Sequence, residues 1–165
     1  MAKKKIQKTN AIRLLEQKKI AYSEREFPII EGEHADAISV ANYLGESPRE
    51  LFKTLVTIGN KTGPVVAVIP GDSELDLKKL AKSSGNKKIE MLPLKELEAT
   101  TGYIRGGCSP VGMKKLYPTY IDETALHYDQ IHLSAGKRGL QMSVSAKSIG
   151  ELVRATFTDL TLTTN

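Results

Sequence analysis

The sequence predicts an α+β fold built on a mixed sheet. Segments with strand-like patterns come in runs between segments with helical spacing, rather than alternating with them one for one. Pro64–Pro70 is apolar almost throughout, which is typical of a strand buried on both faces. The chain has 165 residues, of which 40% are hydrophobic and 26% charged. We therefore expect one globular domain with its own core over residues 1–165.

The first third of the chain predicts a helix, a strand and a second helix. Residues 1–8 are basic and are expected to form a flexible tail, after which Thr9 is suited to cap a helix. Gly45 follows the second helix in the position where a left-handed residue ends a helix. The elements expected here are a helix over Asn10–Lys19, a strand over Ile20–Phe27, a loop over Pro28–His34 and a helix over Asp36–Leu44.

The middle of the chain predicts two strands joined by a turn, then a helix and a strand. Ser47, Pro48 and Glu50 have the residue types of a capping box, so a short helical turn is expected there. The elements expected here are strands over Phe52–Ile58 and Pro64–Pro70, a turn over Gly59–Gly63, a helix over Asp76–Ser84 ended by Gly85, and a strand over Lys87–Leu92.

The last third of the chain predicts two helices and four strands. Tyr103–Gly112 is rich in turn residues and allows no assignment to helix or strand. The elements expected here are a helix over Pro93–Thr101, strands over Thr119–Asp122, Gln130–Ala135 and Leu140–Ser145, a helix over Ala146–Arg154 and a closing strand over Thr156–Leu160.

The composition excludes several classes of protein. A single cysteine, Cys108, allows no internal disulfide and no metal site made of several cysteines. The three histidines, His34, His127 and His132, lack the spacing of a zincin metal helix, so no metal or cofactor is expected. The longest wholly apolar run, Val65–Ile69, is far shorter than the roughly 20 residues that a membrane helix needs.

The charge balance favours a polyanionic partner without proving one. The chain has 24 Lys and Arg against 19 Asp and Glu, a net charge of +5. Basic surfaces bind nucleic acid, but domains of many other functions are also mildly basic. The N-terminus has no apolar signal segment, so a cytoplasmic protein is expected. The densest basic stretch is more often a solvated helix face than a binding site; it comprises Lys78, Lys79, Lys82, Lys87 and Lys88.

Lys53 and Cys108 are the two candidates for chemistry. Lys53 lies in the middle of an apolar strand, where a desolvated ammonium facing a pocket would have a lowered pKa. An ordinary solvent-facing lysine is the alternative. A nucleophilic Cys108 would need a base and an electropositive setting. An inert, packed thiol is the interpretation we favour for it.

Two glycine-rich turns could contact a ligand. In Gly106–Gly112, glycines would let the backbone approach a ligand, and successive N–H groups could hold an anionic or carbonyl oxygen. Ser134–Gly139 carries Lys137 and Arg138, which could clamp phosphates. Each turn is also explained as a purely structural turn or a solubilising hairpin tip.

In order and spacing, these segments together resemble the YbaK/EbsC family of free-standing prolyl-type aminoacyl-tRNA deacylases. The matching stretches are Thr9–Leu15, Phe52–Val56, Leu75–Lys79, Lys87–Met91, Thr101–Tyr103, Gly106–Lys115 and Ser134–Leu140. The resemblance implies a compact mixed β-barrel-like sheet with surrounding helices. It also implies hydrolysis of the ester between a wrong amino acid and the terminal adenosine of tRNA(Pro), with prolyl-tRNA synthetase as a further candidate partner.

The resemblance implies a set of site residues. Lys53 matches the essential lysine of the family and is expected to be catalytic. Lys137 and Arg138 are expected to contact the tRNA. The residues expected to bind substrate are Phe27, Gly106, Gly107, Ser109, Ser134 and Gly136.

Three departures from the family pattern leave the preference between cysteine and alanine open. Phe27 stands where close relatives have Tyr, Asp36-Ala37 where they have Phe-Gly, and Gln141 at a position that can be Asp. Clearance of cysteine from tRNA(Pro), with the substrate thiol as nucleophile, is the function expected. The alternatives are an alanyl-tRNA(Pro) deacylase, a non-catalytic module that binds tRNA or synthetase, and a hydrolase that depends on Cys108.

Overall fold

The computed structural model of the protein describes residues 8–28 and 37–162. Most of the expected basic tail and of the loop over Pro28–His34 lies outside these residues, as does Asp36. The helices described are α1 (Asn10–Gln17), α2 (Ala37–Leu44), α3 (Leu77–Ser84), α4 (Leu97–Thr101) and α5 (Ala146–Val153). The strands described are β1 (Tyr22–Glu26), β2 (Phe52–Gly59), β3 (Gly63–Pro70), β4 (Ile89–Met91), β5 (Thr119–Asp122), β6 (Ile131–Lys137), β7 (Leu140–Val144) and β8 (Thr156–Thr158).

The described strands form two sheets. The smaller is antiparallel throughout, in the order β1-β7-β6. The larger has the order β4-β2-β3-β5-β8, and is mixed because β5 runs parallel to both of its neighbours. The sheets meet at a bridge between Leu51 and His132, where the His132 N–H donates to the Glu50 carbonyl at 2.9 Å. The α+β class is confirmed, although the two joined sheets are barrel-like only loosely and do not close into a barrel.

The Thr9 cap and the Gly85 helix end form as expected, whereas Asp76, which was expected inside the third helix, is its cap. The Thr9 hydroxyl accepts from the Ile12 N–H at 3.1 Å at the start of α1. Asp76 caps α3 by accepting from the N–H groups of Lys78 and Lys79. Gly85 ends that helix in the left-handed region, with φ at 75°. These caps satisfy backbone groups at the ends of the helices through local contacts and so indicate where α1 and α3 begin.

Strand β3 is buried on both faces, as predicted. Val66 and Val68 face the main core, which lies between the sheets and is closed by residues of α1 and α5. Val65, Ala67 and Ile69 face a second core under α3. All five side chains are fully buried. The central strand of the larger sheet therefore holds β2, with Lys53, in a rigid position.

Several element boundaries differ from the predicted ones. The helix expected over Pro93–Thr101 starts as a 3₁₀ turn at Leu94–Glu96 before α4 begins. α1 ends earlier than expected because Lys19 adopts a left-handed φ of 58°. At Ser47 the capping-box residues form a tight turn rather than a helix, and the Ser47 hydroxyl accepts from the Arg49 N–H. A 3₁₀ turn over Glu123–His127 is not predicted at all.

Candidate active site

A pocket of about 220 Å³ opens beside the junction of the two sheets. Apolar side chains of α2, β2 and β7 form much of its wall, among them Val40, Leu51 and Leu140. Lys53 and Arg105 bring two cations to it. Ligand pockets for larger molecules usually measure about 300–1,000 Å³. This pocket therefore suits one small chemical group, such as the side chain and carbonyl of a single amino acid.

Four of the predicted site residues line this pocket together. They are Phe27, Lys53, Gly106 and Ser134, which come from four separate parts of the chain. Phe27 is held by its N–H, which donates to the Gly139 carbonyl at 2.9 Å. The family resemblance implied these residues as members of one site, and the fold brings them to one cavity.

Lys53 is half-buried and has an unused ammonium group. It lies in β2 opposite Ile69 of β3, and contributes to the pocket lining. Within the described ranges, the structure gives the Lys53 ammonium neither a hydrogen-bond acceptor nor a carboxylate partner. A cation held this way is available to an anionic or carbonyl oxygen that enters the pocket.

The two glycine-rich turns pack directly against each other. A Cβ atom on Gly107 would lie 2.9 Å from the Arg138 amide nitrogen and 3.0 Å from the Lys137 carbonyl carbon. Gly106 has φ at +86°, and a Cβ there would lie 3.4 Å from the Arg138 side chain. Only glycine allows this close approach of two backbones. The hairpin tip with its two cations is thereby placed next to the pocket wall that Gly106 and Arg105 form.

The other predicted substrate-binding residues do not line the pocket. Gly107 and Gly136 instead lie at close backbone packing contacts. A Cβ on Gly107 would meet the hairpin backbone, and a Cβ on Gly136 would lie 2.9 Å from the Tyr103 ring. Ser109 is fully buried, and its hydroxyl accepts from the Val111 N–H at 3.2 Å. In contrast, Ser134 lines the cavity while its hydroxyl accepts from the Gly136 N–H at 3.1 Å. Ser109 thus shapes the first turn and Ser134 the second.

Cys108 lies in the pocket wall as a protonated thiol. Burial raises its pKa to about 12, although a hydrogen bond with Thr101 acts in the opposite direction. The nucleophilic form of cysteine is the thiolate, which such a setting suppresses near neutral pH. The geometry therefore favours the interpretation of Cys108 as a packed side chain.

Sequence reasoning missed the polar residues that complete the pocket. Arg105 lies in a turn that allowed no assignment, and Thr54 lies in an apolar strand, so neither was expected at the site. Both line the cavity. Gln141 lines it as well, and is only 2% exposed. One signal could have found Gln141: β7 places it on the same face as Ser143, and that face is polar where the opposite face carries Met142.

Behind the pocket lies a buried carboxylate, Glu46, whose side chain is 4% exposed. Arg25 donates to it at 3.0 Å, and Nε2 of His132 lies 3.8 Å away. Because Glu46 offers only acceptors, the Gln141 amide turns its nitrogen to it, donating at 2.7 and 3.0 Å to the two oxygens. Burial raises the pKa of Glu46, whereas His132 and Arg25 lower it. His132 in turn shares a hydrogen bond of 2.5 Å with Ser143.

The described part of the chain shows neither a metal-binding cluster nor a membrane-spanning helix. Residues 8–28 and 37–162 contain no group of three or more His, Cys, Asp or Glu side chains arranged to hold a metal ion. Over the same ranges, no helix is long and apolar enough to cross a membrane.

The fold and the site define an aminoacyl-tRNA editing domain. Residues 31–151 match the family model described as "Aminoacyl-tRNA editing domain", and the chain belongs to this family. It is 62% identical over 162 residues, 98% of each chain, to an Enterococcus faecalis protein described as "Putative Cys-tRNA(Pro)/Cys-tRNA(Cys) deacylase EbsC".

More distant relatives agree with this family assignment. The proline–tRNA ligase of Thermodesulfovibrio yellowstonii is 36% identical over 75 residues, which are 46% of this chain and 13% of the ligase. Among solved structures, a protein described as "a putative trans-editing enzyme for prolyl tRNA synthetase" superposes with a TM-score of 0.82 at 25% identity. That match covers 95% of this chain and 99% of the other.

Proposed function

We propose that this protein hydrolyses the ester that joins cysteine to the terminal adenosine of mischarged tRNA(Pro). Membership of the editing family and the close likeness to the E. faecalis protein support the reaction class. The likeness to proline–tRNA ligases supports tRNA(Pro) as the tRNA and prolyl-tRNA synthetase as a candidate partner. We expect the activity in the cytoplasm, where tRNA is aminoacylated.

The observation that carries the proposal is the half-buried Lys53 ammonium at a pocket of about 220 Å³. Ester cleavage builds negative charge on the carbonyl oxygen, and a fixed cation in a partly desolvated site stabilises that charge. Gly106 lines the same pocket with a left-handed φ of +86°, which supports a backbone contact with the same end of the substrate. The size of the pocket limits the amino acid to a small one.

The substrate supplies the nucleophile in this reaction. The sulfur of the cysteinyl group attacks its own ester carbonyl carbon, and the bond from that carbon to the ribose oxygen breaks. The ribose hydroxyl leaves with the proton of the thiol, and the thiolactone that forms takes up water to give free cysteine. Lys53 orients the carbonyl and stabilises its developing charge, so the protein contributes position and electrostatics rather than a covalent step.

The tRNA end is held by cations at the mouth of the pocket. Arg105 lines the cavity, and the hairpin with Lys137 and Arg138 packs on the Gly106–Gly107 turn beside it. Contacts of such side chains with phosphates position a nucleic acid without reading its sequence. We therefore assign the three side chains to the backbone of the acceptor end.

Alanyl-tRNA(Pro) is the second candidate substrate, since a pocket of this size that admits cysteine also admits alanine. Alanine has no thiol, so its ester would need attack by water. A fold that only binds tRNA or synthetase would not need Lys53, which separates it from both enzymes.

The test is loss of the ester from purified tRNA(Pro) charged with cysteine, alanine or proline. We expect rapid loss of cysteine, slower loss of alanine and the slowest loss of proline, measurable only at high enzyme concentration. Loss of alanine alone would move the specificity to alanine. If neither the cysteine ester nor the alanine ester is lost, with or without added prolyl-tRNA synthetase, the non-catalytic module that binds tRNA or synthetase would be the remaining function.

A further inference from the structure

We infer that Glu46 is a positioning residue: its carboxylate holds the Gln141 amide in the pocket wall and thereby sets which amino acids the pocket accepts. The inference rests on the proposed deacylase function, whose substrate selection it explains. The sequence drew attention to Gln141 only as a departure from the family pattern, and it gave no sign of Glu46.

The direct evidence is the contact between the two side chains. Gln141 lines the pocket and is 2% exposed, and its nitrogen donates to the Glu46 oxygens at 2.7 and 3.0 Å. A hydrogen bond in a buried, low-dielectric setting is electrostatically stronger than one exposed to water, and here both carboxylate oxygens take part. The amide therefore has one defined orientation in the wall, instead of the several that a free glutamine side chain samples.

Glu46 is also well placed to tie the walls together. It lies in the loop between α2, which supplies Val40 to the pocket, and β2, which supplies Lys53. Through Gln141 this loop is fastened to β7 of the smaller sheet. The carboxylate of Glu46, whose side chain is 4% exposed, thus lies where the segments that carry α2, β2 and β7 meet.

The surroundings allow the positioning role to be separated from mere anchoring. Arg25 donates to Glu46 at 3.0 Å and to the Leu44 carbonyl at 2.8 Å, so it anchors the end of α2 without lining the pocket. Glu50 lies 3.9 Å from Nε2 of His132, much as Glu46 does, but is 40% exposed and is not a partner of the Gln141 amide. Glu50 is therefore a control of equal charge with the same histidine neighbour.

The consequence for selection follows from the size of the pocket. The amino acid that the enzyme must spare is proline, which is bulkier than cysteine. A difference of about one methylene is worth roughly 10- to 200-fold in discrimination when the pocket wall is rigid. A wall whose Gln141 amide is no longer held can move aside, so the excluded proline ester would enter more often.

The experiment compares Glu46→Leu, which removes both acceptor oxygens, with Glu46→Gln, which keeps one. The first readout is the side-chain amide resonance of Gln141, assigned by its loss in Gln141→Leu. The second is the ratio of kcat/KM for cysteinyl- over prolyl-tRNA(Pro). We expect Glu46→Leu to shift the resonance and lower the ratio about tenfold, with a smaller fall for Glu46→Gln.

Two controls and a double variant complete the design. Glu50→Leu should leave the ratio and the Gln141 resonance as in the wild type. Arg25→Met leaves both Glu46 oxygens in place, so it should lower the Tm but lower the ratio less than Glu46→Leu does. The double variant Glu46→Leu/Gln141→Leu should lower the ratio no further than Gln141→Leu alone, because both changes act through one contact.

The outcomes distinguish the two proposals. An unchanged ratio in Glu46→Leu, additive effects in the double variant, or the same fall in Arg25→Met would overturn the positioning role. If Glu46→Leu does not fold, an unchanged ratio in Glu46→Gln is decisive instead. A wild type without deacylase activity would refute the proposed function, and an unmoved Gln141 resonance would then still refute the positioning.

Discussion

At the scale of single residues, the site depends on the placement of a few charged and polar groups. Lys53 is a half-buried cation at the second residue of β2, Cys108 is a thiol that burial keeps protonated, and Glu46 is a carboxylate whose side chain is buried next to Gln141. Their roles differ because their surroundings differ. Of these three, only Lys53 offers the pocket a positive charge, and within the described residues that charge has no carboxylate partner.

The change Lys53→Ala should lower the rate of cysteinyl-tRNA(Pro) deacylation by about 10²–10³, the loss typical of one oxyanion contact. The fold should remain, because the side chain holds no structural hydrogen bond in the described chain. Single-turnover kinetics and far-UV circular dichroism measure the two effects. Lys61→Ala, at an exposed turn, is the control of equal charge. Wild-type turnover in Lys53→Ala would contradict the assignment of this site.

The thiol of Cys108 should react slowly with iodoacetamide in the native protein. With a pKa raised to about 12, its thiolate is about a thousandfold scarcer at pH 8 than that of an ordinary cysteine. The same reaction in denaturant should be fast. Because the folded pKa lies above the unfolded one, this group also lowers the stability as pH rises from about 9 toward 12.

The variant Cys108→Ala checks the same point by activity. We expect it to keep most of the deacylase rate, since the side chain packs and does not react. Complete loss of activity with an unchanged circular dichroism spectrum would instead support the hydrolase that depends on Cys108.

At the scale of elements, local chemistry predicts much of the fold but not the pocket. Thr9 and Asp76 have cap side chains, and Pro64–Pro70 is an apolar run, so each indicates its element without help from the rest of the chain. The packing of Gly107 on Arg138 has no such local signal, because the contact joins two turns far apart in sequence. The same holds for Glu46 with Gln141.

The variant Gly107→Ala should separate the two turns that form the pocket wall. Its Cβ would meet backbone atoms of the hairpin at 2.9–3.1 Å, where no flexible side chain can give way. We expect a clear fall in Tm and a raised KM for the charged tRNA. Gly45→Ala is the control: its Cβ would meet nothing within 4 Å, and only its φ of +71° costs about 1 kcal/mol. Equal effects of the two variants would show that the contact between the turns is unimportant.

At the scale of the whole molecule, the basic residues are not equivalent. Lys79, which belongs to the densest basic stretch, is engaged by Asp159 at 2.8 Å and by the Thr161 carbonyl at 2.6 Å. It fastens the C-terminal segment to α3. Lys137 and Arg138 instead lie on the hairpin beside the pocket mouth. The position of a basic residue in the fold, more than the net charge of the chain, is therefore the basis on which we assign cations to the tRNA.

The double variant Lys137→Ala/Arg138→Ala should weaken tRNA binding and flatten its dependence on salt. Each lost phosphate contact lowers the slope of log K against log salt concentration by about one unit. Lys87→Ala/Lys88→Ala is the control of equal charge, near the end of β2 about 20 Å from Lys53. Binding measured over a salt series should show parallel lines for wild type and control. If the hairpin variant has the same salt slope as the wild type, Lys137 and Arg138 do not contact phosphates and the hairpin is only a solvated tip.

The assembly of the pocket from Phe27, Lys53, Gly106 and Gln141 also bears on how the protein folds. The β2–β3 hairpin joins neighbours in sequence and can form early, whereas closing the pocket requires long stretches of chain to be looped together. During refolding from denaturant, strand signal should therefore return before deacylase activity does. A nascent chain still on the ribosome would accordingly carry no editing activity until β7 has emerged.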